Sequence, residues 1–238
     1  MLLESTIFKF VKIQNNNRIM AGITSSIGRK YAMAISAMFL LIFLVMHMST
    51  NMISVFSEDS FNSASHFMGY NPAIQFLMQP ILMFAVVFHF VMGFILEARN
   101  NSARPVKYAM NQGSANSSWM SRNMLISGAV ILAFLALHFY DFWYPEISYK
   151  YIQGNNPDEL RYWEELHHKF HDVWRVVLYV MAFILLGLHL AHGFQSSFQS
   201  VGARHPKYTP FIKAFGNWYS VLIPAGFIII AIYHFVTQ

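Results

Sequence analysis

The sequence contains no cysteine. That absence removes disulfide frameworks, thiolate zinc sites, iron–sulfur ligation and covalent c-type haem attachment together. Any redox group must then be held by histidine or borrowed from a partner. Charge is scarce as well: 11% of the 238 residues are charged and 55% are hydrophobic, where a soluble globular domain carries roughly 25% charge. That balance runs against a water-soluble fold. No cleavable leader is expected, because the first apolar stretch is broken by Lys9 and Lys12 and lacks a small-residue cleavage pattern. The first true span is therefore expected to direct insertion. The net charge of +5 does not point to nucleic acid, since the basic residues are scattered between apolar spans and form no single soluble face.

What is abundant is apolar chain. A membrane helix needs about 20 mostly apolar residues at about 1.5 Å rise each. Five stretches qualify, about 31–53, 74–96, 123–139, 175–196 and 218–236. Pro80 and Pro224 fall inside the second and fifth, where membrane helices tolerate proline with a kink. The predicted fold is thus an all-α integral membrane protein, one domain over residues 1–238, with residues 1–29 as a cytoplasmic segment.

Orientation follows from the distribution of Lys and Arg. Lys9, Lys12, Arg18, Arg29 and Lys30 precede span one; Arg99, Arg104, Lys107 and Arg122 follow span two; Arg204, Lys207 and Lys213 follow span four. All fall on one side. The other side carries Lys150, Arg161, Lys169 and Arg175 among eight acids. The N-terminus is expected in the cytoplasm and the C-terminus outside.

Four spans each place a histidine deep in apolar sequence: His47, His89, His138 and His189. Ionisable residues there are costly and are functional candidates by default. His47 lies 17 residues past Lys30 and His138 lies 16 past Arg122, which puts both about 25 Å from the cytoplasmic edge. His89, 15 residues past Ile74, and His189, 14 past Arg175, lie about 21 to 22 Å from the opposite edge. The result is two co-level pairs roughly 15 Å apart along the membrane normal. One such histidine reads as a packed polar residue. Four at two matched levels suit the axial positions of two stacked b-type haems, with no open site for oxygen, the geometry of electron transfer. The first four spans are then expected to bundle around the two haems.

An internal repeat at an offset of 100 residues supports the inner pair: His89, Gly93, Phe94, Ala103, Arg104, Lys107 and Tyr108 recur as His189, Gly193, Phe194, Ala203, Arg204, Lys207 and Tyr208. Gly93 and Gly193 share the face of their histidine one turn away, where a flat porphyrin can approach. Packing by small residues explains either glycine alone equally well. The repeat aligns His192 with Met92 and so selects His189 as the ligand.

For propionates, Arg175 is placed for the outer haem, and Ser25, Ser26, Arg29, Lys30 and Lys107 or Lys207 for the inner one, although interfacial anchoring accounts for most of them. His66, Gln75, Gln79, Tyr140, Asp141, Trp143 and Glu146 gather near the outer ends of the first three spans. These are candidates for a quinone site, with His66, Gln75, Gln79 and Asp141 foremost. His167 and His171 have the helical spacing of part of a zinc site but lack the HExxH order. Their segment reads as a surface helix.

The chain resembles the cytochrome b558 membrane-anchor subunit of succinate dehydrogenase/fumarate reductase, in its five-helix, di-haem form. Its most specific stretches are Ser25-Ser26-Ile27-Gly28-Arg29-Lys30-Tyr31-Ala32-Met33, Leu188-His189-Leu190-Ala191-His192-Gly193-Phe194-Gln195-Ser196 and His205-Pro206-Lys207-Tyr208-Thr209-Pro210. The resemblance implies a bacterial inner membrane, flavoprotein and iron–sulfur subunits on the cytoplasmic face, and electrons passing through the two haems to or from menaquinone. It also pairs His89 with His189 and His47 with His138. Some members carry a glutamate two residues before the fourth-span histidine, linked to proton movement; here that position is Gly187. The readings that compete are a di-haem anchor for another dehydrogenase and a haem-free transporter.

Overall fold

The computed structural model describes residues 25–102 and 124–238. The segment before residue 25, expected in the cytoplasm, together with Ala103, Arg104, Lys107, Tyr108, Arg122 and Asn123, lies outside the described residues. Among the described residues the fold is helical throughout, without strands: α1 (Ser26–Phe56), α2 (Glu58–Tyr70), α3 (Gln79–Ser102), α4 (Met124–His138), α5 (Tyr144–Ile147), α6 (Arg161–Lys169), α7 (Val173–Ser200) and α8 (Thr209–Val236). Five continuous helical segments are long and apolar enough to cross a membrane: Ser26–Phe56, Ile74–Asn100, Met124–Ile152, Val173–Ser200 and Thr209–Val236. Helices of this length and composition fit a multi-pass membrane protein. Large apolar side chains such as Ile42, Phe84, Ile126 and Trp218 stand outward on these helices, as surfaces facing lipid do.

Local chemistry sets the helix ends. Ser25 caps α1 by accepting the Gly28 N–H at 3.0 Å, Ser57 caps α2 from Ser60, and Asp172 caps α7 from Trp174. Two prolines are absorbed by π-helical turns. Ile74–Met78 precedes Pro80, and Phe139–Trp143 precedes Pro145. The wider turn relieves the clash of the ring with the preceding turn and the loss of its N–H, so the helix continues past both prolines. The third span therefore extends to Ile152, well beyond the predicted end near residue 139.

α8 is the strut of the bundle. Half of its apolar window is buried, against 28% for α7 and 11% or less for the other three. It packs most extensively on α7 and also along α1, where the Tyr219 hydroxyl donates to the Leu41 carbonyl at 2.6 Å. Close approach at two glycines allows this. A Cβ on Gly216 would stand 2.7 Å from Phe194, and one on Gly187 would stand 3.0 Å from the Ser220 carbonyl oxygen. That carbonyl lies four residues before Pro224, which has no N–H to offer it. A stack of Phe183 on Phe227, centroids 5.1 Å apart, joins the two helices deeper in the core.

The short helices α2 and α6 lie together across one end of the bundle, hereafter the capped end. The Trp163 amide donates to Asn62 at 2.8 Å and its indole N–H to the Ser54 carbonyl at 3.0 Å. Glu146 forms ion pairs with Lys150 and Arg161, Arg161 also binds Glu165, and Lys150 donates to the Gly69 carbonyl at 2.7 Å. Burial opposes the Arg161 charge, but the bonds to Glu146 and Glu165 prevail and hold the guanidinium above its ordinary range. Burial first, and then Glu146, raises the Tyr162 phenol.

Candidate functional site

Each of the four span histidines meets a neighbour from another helix. His47 on α1 and His138 on α4 stand edge to face, ring centroids 5.8 Å apart and planes at 82°. Two imidazoles on one metal ion, each bonded at about 2 Å, place their centroids about 6 Å apart. The spacing of this pair fits that arrangement. Phe43 stacks on His47 at 5.2 Å and Phe134 on His138 at 5.8 Å, each from one turn below on the same helix. The Nδ1 of His138 is buried without a hydrogen-bond partner.

The other two histidines are held by serines. Ser36 on α1 lies 3.2 Å from His89 Nδ1, and Ser127 on α4 lies 3.2 Å from His189 Nδ1. Both hydroxyl protons are already committed, Ser36 to the Met33 carbonyl at 2.8 Å and Ser127 to the Met124 carbonyl at 3.0 Å. Each serine oxygen must therefore accept from its histidine, which fixes the proton on Nδ1 and leaves the Nε2 lone pair free. Metal-ligating histidines are oriented in this way by a partner on the other ring nitrogen. The two serines thus leave His89 and His189 able to ligate a haem iron through Nε2, while the outer pair fits by its ring spacing, with His47 Nδ1 3.3 Å from the Asn51 amide nitrogen.

These contacts also fix the levels. Ser36 lies 11 residues before His47, and Ser127 lies 11 before His138, which is about 16 Å along a helix axis. His89 and His189 therefore sit about 16 Å along the helix axes from His47 and His138.

A second repeat in the sequence carries these serines. At an offset of 91, Met33, Ile35, Ser36, Phe43 and His47 recur as Met124, Ile126, Ser127, Phe134 and His138. Spans one and three are thus copies, as spans two and four are. The glycines follow the same symmetry: a Cβ on Gly93 would stand 3.6 Å from the Met33 methyl, and one on Gly193 would stand 3.4 Å from the Met124 methyl.

The remaining candidates do not converge. Arg175 and Asp141 pair with each other; Asp141, its side chain fully buried, also accepts from Tyr179 at 2.9 Å and has Lys169 at 4.0 Å. His66 stacks on Tyr70 at 4.6 Å and reaches Glu159 at 3.6 Å. Gln75 donates to the Tyr151 hydroxyl, while Gln79 opens α3 half-buried. At the opposite end, Arg29 reaches Ser26 at 3.5 Å and Lys30 is exposed. Arg29 is two turns before Ser36, hence on the same face of α1.

Two histidines outside the expected set are drawn inward. The helix α6 ends at Lys169, so His171 leaves the helical spacing. His167 turns instead toward the fully buried His234 of α8, with its Nδ1 3.2 Å from the Nδ1 of His234.

Comparison with protein-family models, with curated proteins and with solved structures finds no match for this chain. Among the described residues the structure defines five apolar helices of membrane-spanning length, with His47 against His138 and serine-held His89 and His189 within them.

Proposed function

We propose that this chain is the di-haem cytochrome b anchor of a succinate:menaquinone oxidoreductase, embedded in a bacterial inner membrane with its N-terminus in the cytoplasm and its C-terminus outside. The observation that carries the haem reading is the twin serine–histidine arrangement: Ser36 with His89 and Ser127 with His189, each leaving Nε2 free on a facing helix. The assignment to succinate and menaquinone rests on the resemblance in the three stretches around Ser25, His189 and His205.

Two b-type haems bound here would supply one-electron transfer between an iron–sulfur subunit on the cytoplasmic face and quinone near the capped end. The chain's own residues bind, orient and insulate. His89 and His189 ligate the inner haem, and His47 with His138 the outer one. The serine bonds hold the inner rings in the tautomer that presents Nε2, and the stacked Phe43 and Phe134 fix the planes of the outer rings. Arg29, two turns from Ser36, serves an inner propionate. Because Asp141 already binds Arg175, the pair shields the outer haem end from water, and the quinone head group falls to the side of α2 that carries His66.

The test is ligand replacement. His189→Ala, like His89→Ala, is expected to lose the inner haem and keep the outer one, whereas His192→Ala keeps both. Loss of a haem in His192→Ala with retention of both in His189→Ala overturns the ligand assignment. Co-purification of a flavoprotein and an iron–sulfur protein supports the succinate reading; a nickel or molybdenum protein in their place supports a different dehydrogenase.

A further inference from the structure

A hydrogen-bonded line runs from the capped end into the bundle. His167 on α6 is half-buried and stacks on Trp163 at 4.5 Å. Its Nδ1 lies 3.2 Å from the Nδ1 of His234, whose Nε2 lies 2.9 Å from the Ser54 hydroxyl. Ser54 in turn donates to the Asn51 carbonyl at 2.6 Å, and Asn51 donates to the His47 carbonyl at 2.8 Å. Ser54 stands seven residues from His47, about 10 Å or two turns along the same face of α1.

The Ser54 hydroxyl has one proton and two acceptors in reach, the Asn51 carbonyl at 2.6 Å and His234 Nε2 at 2.9 Å, and the shorter bond takes it. Since the Ser54 proton goes to Asn51, Ser54 accepts from His234, which must carry its proton on Nε2. His234 Nδ1 is then an acceptor, and the proton between the rings belongs to His167 Nδ1. The Nε2 of His167, a half-buried residue, is left with a lone pair. We propose that His167 and His234 form a proton-loading pair that admits one proton from the capped end to a buried site beside the outer haem. The inference rests on the di-haem reading for its purpose, though not for its geometry.

The transfer balances in two moves. A proton from water binds His167 Nε2, and the Nδ1 proton crosses to His234 Nδ1. His167 is again neutral, in its other tautomer, and His234 holds the positive charge with both nitrogens donating, one to Ser54 and one to His167. No electron moves within the pair. With a haem held by His47 and His138, its reduction would favour this uptake, and its reoxidation would return the proton by the reverse path. Of the groups facing the pair, Glu58 on α2 favours a charge on His167 and His171 opposes it. Trp163 and Tyr233 add aromatic contacts, and Gln238 donates to the His234 carbonyl at 3.3 Å. Burial, and then His171, holds His167 below the ordinary histidine range.

The experiment is spectroelectrochemical titration of the haem-loaded complex between about pH 5 and pH 8, the range in which histidine titrates. In the wild type the midpoint potential of the outer haem should fall as pH rises, and in His234→Gln that dependence should be largely lost while the inner haem is unaffected. His167→Gln, which leaves the buried strut α8 intact, should lose it as well. Equal pH dependence in the wild type and in either variant overturns the proposal. A second readout needs no haem: nitrogen-15 spectra of labelled histidine should show the two Nδ1 atoms titrating as one coupled pair, and independent titration overturns the pair even where the haem reading stands. A wild-type complex without haem overturns the di-haem reading, while coupled titration in the same sample still supports the proton pair.

Discussion

Asp141 of the third span and Arg175 at the head of α7 form an ion pair whose carboxylate side chain is wholly out of water. Tyr179 adds a hydrogen bond at 2.9 Å. Removing one partner of a buried pair costs more than the pair contributes, because the survivor is left uncompensated. Asp141→Ala is expected to destabilise the protein by about 3 kcal/mol, the low end for buried pairs, since the Arg175 side chain keeps 25% of its exposure. The double replacement Asp141→Leu with Arg175→Met should recover most of the loss, measured by thermal unfolding in detergent.

Ser36 and Ser127 should matter through their histidines. Ser36→Ala or Ser127→Ala removes the acceptor that fixes the Nδ1–H tautomer and is expected to weaken inner-haem retention by about 10- to 100-fold, the usual cost of losing an outer-shell partner. Haem release followed by absorbance measures it. The outer haem, with no serine on its ligands, should be retained in both variants.

Gly187 should resist substitution for a reason of packing. Its missing Cβ lets α7 approach the Ser220 carbonyl and the Pro224 ring, at 3.0 and 3.4 Å from where that Cβ would stand. Gly187→Ala is expected to cost about 1–3 kcal/mol, as overpacking does. The same contact explains why a glutamate has no room here: the side chain would be driven into α8. Gly187→Glu should therefore fail to assemble and create no new proton path, which expression level and thermal stability will show.

Stability should fall in mild acid through His167. Its folded-state proton affinity is lowered by burial first and then by His171. Below the unfolded value of about 6.5 the unfolded chain takes up the proton first, so stability drops as pH falls through that window. His167→Gln should flatten the decline in unfolding temperature between about pH 6.5 and pH 5. An unchanged decline would assign it to other groups.

The membrane spans and the four deep histidines were legible because apolar length and buried ionisable groups are strong local signals. Span limits were less so. The third span reads as ending at Phe139 because Tyr140 and Asp141 look like an interface; Arg175 and Tyr179, distant in sequence, satisfy Asp141 and let the helix run to Ile152. α8 begins at Thr209, nine residues before its predicted start at Trp218, since Lys213 and Asn217 dilute the apolar pattern there without breaking the helix. The serine anchors could have been found from the repeat at offset 91. His234 could not, because its partners Ser54 and His167 are 180 and 67 residues away and no periodicity joins them.

The central claim is tested most directly by haem stoichiometry on the purified chain with a reduced-minus-oxidised visible spectrum. Two b-type haems per chain are expected, with His47, His89, His138 and His189 each required for one of them. A chain without b-type haem contradicts the account, and a single haem would leave one of the two histidine pairs purely structural.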